Sequence, residues 1–169
     1  SWRGQCREAV LWFGTAATAR RRATVIGGGS LLWDDVRPPQ AKVAAPGVFL
    51  YDPDPAVVRS HLVGLLAQQL NASLVGPQVA YLTSAEETST PFARCFHILA
   101  QVPFGLRRLR QQLASEGWRV TEILRRRFPI EPGTLMRDLR SAGAAGTRAV
   151  SLVCTKVEER PVVFICDPR

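Results

Sequence analysis

The chain has 169 residues, 46% of them hydrophobic and 21% charged, enough apolar content to build a core and too much for a disordered tail. Twenty-two Lys and Arg against fourteen Asp and Glu leave a net charge of +8, and arginine carries the excess, because Lys42 and Lys156 are the only lysines. The longest apolar stretches, such as Ala149–Cys154 and Val162–Cys166, fall far short of the roughly 20 residues that span a bilayer, so no membrane partner is expected.

Gln5–Phe13 (QCREAVLWF) reads as a strand, and Arg21–Ile26 (RRATVI) as its hairpin partner. Gly27-Gly28-Gly29-Ser30 then forms a tip, after which Leu31-Leu32-Trp33 returns as a further strand. The glycines are turn punctuation, since neither a G-x-G-x-x-G pattern nor a Walker Lys-Ser/Thr follows them. Arg3 and Arg7 precede only the short apolar run Ala9–Phe13, with no cleavage-site pattern, which argues against a secretory signal and for a cytoplasmic address. Residues 36–47 (VRPPQAKVAAPG) are rich in Pro and small residues and read as a linker, so a domain is expected to end near residue 35 and another to occupy residues 48–169.

Val48–Tyr51 is extended and runs into Asp52-Pro53-Asp54-Pro55, where Asp54 can cap a helix that starts at Pro55. The 3.6 period of Val58, Leu62, Leu65 and Leu66 predicts one helix as far as about Leu70. Pro77–Thr83 and Ala93–Val102 read as strands, separated by the polar Ser84–Thr90. Phe104–Ser115 reads as a helix with Leu106, Leu109 and Leu113 inward, ended by Gly117. Val120–Phe128 is a strand, Thr134–Arg140 a helix, and Ala149–Val157 with Val162–Cys166 a closing hairpin. The whole predicts an α+β fold in which a mixed sheet, with helices on one face, follows a β-hairpin.

Chemistry is sparse in this pattern. Cys6, Cys95, Cys154 and Cys166 form no metal-ligand spacing, His61 and His97 stand apart from any nucleophile, and the acidic pairs Asp34-Asp35, Glu86-Glu87 and Glu158-Glu159 fall in loops, so neither a metal nor a catalytic residue is assigned. Asp52 and Asp54 read as capping residues. The arginines are the informative feature: residues 103–169 hold thirteen basic and seven acidic groups, against nine and seven in residues 1–102. That asymmetry points to a polyanion, for which Arg107, Arg108, Arg110, Arg125, Arg127 and Lys156 are the candidate contacts, with Arg119, Arg137 and Arg140 as outlying members. On a strand, Arg125 and Arg127 share one face and Arg126 takes the other. Phe104, Trp118 and Phe128 are candidates for stacking on unpaired bases.

Several segments taken in order carry a resemblance: REAVLWFG (Arg7–Gly14), RRATVI, FLYDPDPAVVRSHLV (Phe49–Val63), VAYLTS (Val79–Ser84), TPFARCFHIL (Thr90–Leu99), PFGLRRLRQQL (Pro103–Leu113) and the closing SLVCTKVEERPVVFICDP. Together the chain resembles the C-terminal region of bacterial class I S-adenosylmethionine-dependent methyltransferases that carry a THUMP-like domain. The resemblance implies that residues 1–35 are the terminal strands of an incomplete Rossmann-like methyltransferase domain and residues 48–169 a THUMP-like domain. It further implies an RNA partner, tRNA or rRNA, and S-adenosylmethionine as cofactor of a full-length methyltransferase, with no catalytic or cofactor-binding residue in this chain. The alternative expectation is a protein-interaction or structural domain that forms a homodimer through exposed strands.

Overall fold

The computed structural model describes residues 1–140 and 146–168; residues 141–145 and Arg169 of the expected second domain lie outside that description. After a single 3-10 turn at Gly14–Ala16, β1 (Arg21–Val25) pairs antiparallel with β2 (Gly29–Trp33). Gln5–Phe13, expected to be the partner of β1, forms no strand; Leu31–Trp33 fills that place. Three residues separate β1 from β2, and Gly27 (φ 84°) and Gly29 (φ 105°) supply the left-handed backbone that closes the loop. The local closure is entropically cheaper than pairing with a segment beyond Gly14.

β3 (Phe49–Pro53) leads into α1 (Pro55–Arg59), where the Asp54 carboxylate accepts the Ala56 N–H at 2.8 Å. The single helix expected to Leu70 is two: α1 stops and α2 (Val63–Gln69) starts afresh. His61 is left-handed (φ 59°), and the His61 and Leu62 N–H groups donate back to the Val58 and Val57 carbonyls at 3.1 and 3.0 Å, a Schellman closure built without glycine. The Ser60 hydroxyl donates to the Ala56 carbonyl at 2.8 Å and helps end the helix. Asn71 (φ 47°) ends α2 in the same way.

β4 (Ser73–Leu74), β5 (Leu82–Ser84), the long β6 (Ala93–Pro103), α3 (Leu106–Ser115), β7 (Trp118–Arg125), α4 (Pro132–Arg140), β8 (Arg148–Val157) and β9 (Arg160–Cys166) complete the described elements. Of the strand expected over Pro77–Thr83 only Leu82 and Thr83 join the sheet; Pro77 has no N–H to give and Gln78 is left-handed (φ 60°), so the chain there crosses the sheet face as a loop and buries Val79 and Tyr81.

The seven strands lie in the order β4-β5-β3-β6-β9-β8-β7, and of these pairs only β7–β8 is parallel, bridged by α4 as a β-α-β unit. Side chains alternate between faces, as the pleat demands. Val150, Leu152 and Cys154 of β8 and Val163 and Ile165 of β9 pack on α3 and α4 through Leu109, Leu113, Leu135 and Leu139. Val153, Val162, Phe164 and Cys166 point the other way and meet Leu50, Phe96, Val79 and Tyr81. A register shift between Ile98 and Ala100 lets β6 serve β3 with its first half and β9 with its second. On the helical face, α1 and α2 close a further cluster, in which Leu62, Leu66 and Tyr51 meet Ala23 and Leu31 of the β1–β2 hairpin. The mixed α+β architecture with a sheet at its core is the one read from the sequence.

Residues 36–47, connector-like in composition, lie against this body: the Leu74 N–H donates to the Lys42 carbonyl at 2.7 Å and the Ala44 N–H to the Leu74 carbonyl at 3.0 Å. Gly64 approaches Pro39 so closely that a Cβ there would stand 1.8 Å from the Pro39 carbonyl oxygen. No helix among the described residues is long and apolar enough to cross a membrane.

Candidate nucleic-acid interface

The basic residues of the second half gather mainly at one end of the sheet, where β6, β7 and β8 finish and β9 begins. The Phe104 N–H donates to the Pro161 carbonyl at 2.9 Å, so α3 starts beside the β8–β9 turn. That turn is Glu158-Glu159, both left-handed (φ 49° and 60°), the twist a two-residue hairpin loop requires. Gly105 precedes α3 and offers no capping side chain, and Arg107 and Arg108 stand exposed in its first turn. With Phe104 and Gln111 they line a shallow, open depression. Neither arginine makes a hydrogen bond or ion pair among the described residues. Cations at a helix N-terminus oppose the macrodipole, so two unpaired guanidiniums there leave the local potential strongly positive.

The other candidates are partly neutralised. Arg125 pairs with Glu131 at 2.5 Å and donates to the Phe128 carbonyl at 3.3 Å. Arg127 donates to Pro77 O and Gln78 Oε1 at 3.3 and 3.1 Å and faces Glu159 at 3.9 Å. Lys156 reaches the same Glu159 at 3.2 Å. Arg110 turns away and donates to the Asp138 carbonyl at 2.6 Å, tying α3 to α4. The structure therefore brings Arg107, Arg108, Arg125, Arg127 and Lys156 to one end, sets Arg110 aside as a structural link, and adds the exposed Arg160. Arg119 and Arg140 lie at the opposite end, at the start of β7 and the end of α4. Arg137 leans on Thr134 Oγ1 at 3.4 Å. Of the aromatic candidates, Trp118 and Phe128 are buried in the core and unavailable to a base. Phe104 is half-buried, meets Phe128 edge to face at 4.8 Å, and lines the depression.

Sequence reasoning missed a polar network on the sheet face opposite the helices. Arg126 donates Nε and Nη2 to Asp52 Oδ1 at 3.1 and 2.8 Å, donates to Pro53 O at 3.2 Å, and lies over the Tyr81 ring at 5.2 Å. Asp54 alone is the cap; Asp52 is an ion-pair partner. Burial pushes the Asp52 carboxyl above its ordinary value and Arg126 pulls it part of the way back. Arg94 grips Glu122 with two bonds of 2.8 and 2.7 Å, which holds the Glu122 carboxyl below its usual range. The alternation of Arg126 with Arg125 and Arg127 was the available signal; its partner, 74 residues away, had none.

The remaining titratable groups form no catalytic constellation. Burial pushes the Cys154 and Cys166 thiols up to about 12, which keeps them unreactive. His97 Nδ1 lies 3.4 Å from Asp167, which Arg148 also holds at 2.7 Å; burial works against ionisation of that carboxyl, but its bonds to Arg148 and His97 outweigh it and lower its pKa. No nucleophile stands beside His97 among these contacts. The glycine run, the one stretch that could suggest a cofactor loop, closes the β1–β2 hairpin, and a Cβ on Gly28 would stand 2.6 Å from Pro91 Cβ. It opens no helix, so it does not fit a phosphate or adenosyl group.

Residues 93–168, from β6 to the end of β9, match the THUMP domain-like family. Over 174 aligned positions, 99% of the chain is 35% identical to an uncharacterized S-adenosylmethionine-dependent methyltransferase of Mycobacterium tuberculosis, in strain CDC 1551 / Oshkosh and equally in strain ATCC 25618 / H37Rv. The match takes in 47% of that protein, so the chain spans about half the length of the curated relatives it matches. A crystal structure of a candidate methyltransferase from Porphyromonas gingivalis W83 shares the fold over 86% of this chain and 37% of its own, with a TM-score of 0.61 and 19% identity. Residues 93–168 thus match the THUMP domain-like family, within a chain similar over nearly its whole length to S-adenosylmethionine-dependent methyltransferases.

Proposed function

We propose that the chain is the RNA-binding part of a cytoplasmic RNA methyltransferase, and that it holds the phosphates of a tRNA or rRNA at the end of the sheet where α3 begins. The observation that carries the reading is the pair Arg107 and Arg108, exposed and without side-chain partners among the described residues, in the first turn of α3 beside the half-buried Phe104. An arginine fork suits a phosphate, and a neighbouring ring suits an unstacked base. Arg125, Arg127 and Lys156 belong to the same end of the sheet and, on this reading, reach a phosphate only by exchanging Glu131 or Glu159 for it. Arg110 holds α4 and is not a contact. S-adenosylmethionine and methyl transfer belong, on this reading, to residues outside this chain, and the four free cysteines suit a reducing compartment.

Fluorescence anisotropy with a labelled single-stranded RNA tests the assignment. Replacing Arg107 and Arg108 together by Ala is expected to weaken binding at least tenfold. Unchanged affinity would remove the centre of the proposed site.

A further inference from the structure

The depression at the start of α3 offers about 530 Å³, the size class of a pocket for one small ligand. Its walls differ in chemistry. Pro103, Phe104 and Leu106 are apolar, and Arg107 and Arg108 are cations that donate hydrogen bonds and accept none. Among the lining side chains Gln111 alone carries no charge and both donates and accepts. It is exposed, and no side-chain hydrogen bond holds it among the described residues. The next residue differs: Gln112 Nε2 is engaged with Glu116 Oε1 at 3.5 Å.

The placement of Gln111 follows from the helix. It stands four residues after Arg107, so the two rise from the same face of α3, one turn apart, opposite the buried Leu109 and Leu113. Phe104 is fixed on both sides of its own backbone and ring. Its N–H donates to the Pro161 carbonyl at 2.9 Å, and its ring meets Phe128 edge to face at 4.8 Å. A rigid ring, two phosphate-seeking guanidiniums and one free amide therefore share a single depression.

Those three chemistries match the three parts of a nucleotide. A base laid on Phe104 with its phosphates at Arg107 and Arg108 turns an edge toward the remaining polar group, which is Gln111. Adenine donates from N6 and accepts at N7, the complement of an amide oxygen and its NH2. Guanine presents O6 and N7 on the same edge, two acceptors, one of which opposes the amide oxygen. A pyrimidine offers less ring to stack. A base inside a duplex has its faces covered by its neighbours, so only an unpaired one can use the Phe104 ring.

We infer that Gln111 is a specificity-determining residue that reads N6 and N7 of a single unpaired adenine stacked on Phe104. The inference rests on the RNA-binding reading and adds base identity to it.

Fluorescence anisotropy with three labelled oligouridines tests it. They differ at one central position, which holds adenosine, guanosine or 7-deazaadenosine; the last keeps the stacking ring and N6 but has a C–H where N7 would accept. The wild-type chain is expected to bind the adenosine strand about tenfold more tightly than either of the others. Gln111→Leu, similar in length and without donor or acceptor, is expected to bind all three with equal affinity. Equal wild-type affinity for adenosine and 7-deazaadenosine, or a preference that persists in Gln111→Leu, overturns the inference and leaves the phosphate site standing. Absence of binding to all three strands overturns the RNA-binding reading, and this inference with it.

Discussion

Arg126 sets the junction between the end of β7 and the end of β3, and its removal has a consequence that depends on pH. The Arg126 side chain is 25% exposed and that of Asp52 17%. Breaking a fully buried pair costs roughly 3–5 kcal/mol, so this largely buried one is expected to cost about 2–3 kcal/mol when Arg126 becomes Met. In a domain of this size that corresponds to a fall of roughly 5–10 °C in melting temperature. Asp52 is already raised by burial with Arg126 in place, and without the guanidinium only the weaker pull of Arg94 opposes that burial. A carboxyl whose folded pKa exceeds its unfolded value binds more protons in the fold, so stability falls as pH rises from the ordinary 3.8 through the folded pKa. The Arg126→Met deficit is therefore expected to be larger at pH 8 than at pH 5 in urea unfolding. Asp52→Leu strands a guanidinium that cannot neutralise itself and removes the titrating carboxyl, so its deficit is not expected to grow from pH 5 to pH 8. The double variant, apolar on both sides, is expected to recover most of the loss. A loss from Arg126→Met that is independent of pH, or a double variant that sums the two single losses, would refute the ion-pair account.

Gly64→Ala is expected to cost about 1–3 kcal/mol, because the new methyl meets the Pro39 carbonyl at 1.8 Å; tryptic cleavage after Lys42, followed by mass spectrometry, should accelerate as residues 36–47 lift from α2. Glu122→Gln should destabilise the protein at pH 7 and progressively less as pH falls below the carboxyl's ordinary 4.5, because a carboxylate held low by Arg94 contributes stability above that value and loses it as it protonates; chemical denaturation from pH 7 to pH 3.5 reads the difference. Replacing Glu158-Glu159 by Asn-Gly relieves two left-handed glutamates and is expected to stabilise the protein by up to about 1 kcal/mol in thermal melts. It also removes the carboxylate shared by Arg127 and Lys156, so RNA affinity should rise in the same anisotropy assay.

Much of the fold was legible because the second half obeys simple periods. The apolar runs within Ala149–Val157 and Val162–Cys166, buried on both faces, became β8 and β9, and the leucine spacing of Phe104–Ser115 became α3, closed by Gly117 at φ 64°. The break at His61 was not legible: the apolar stripe continues through Leu62, and a histidine seldom takes the left-handed cap that glycine prefers. Gln5–Phe13 misled for the opposite reason, since its composition favours a strand and no described segment pairs with it. Among the candidate contacts, the strand alternation read over Arg125–Arg127 fails, because β7 ends at Arg125 and the left-handed Arg127 (φ 52°) turns to Pro77 and Gln78; nor does the sequence show that Glu131 and Glu159 fold back onto Arg125, Arg127 and Lys156. Arg107 and Arg108 were legible because one turn of helix already carries both onto the surface away from Leu109 and Leu113.

The salt dependence of RNA binding tests the central reading most directly. Each phosphate contact on a single strand contributes about 0.7 to the slope of log K against log salt. The wild-type chain is expected to show a clear negative slope, Arg107→Ala with Arg108→Ala to flatten it by about 1.4, and Arg119→Ala with Arg140→Ala, at the far end of the sheet, to leave it unchanged. Binding that ignores salt, or equal losses from the two pairs, would contradict a phosphate site at the start of α3.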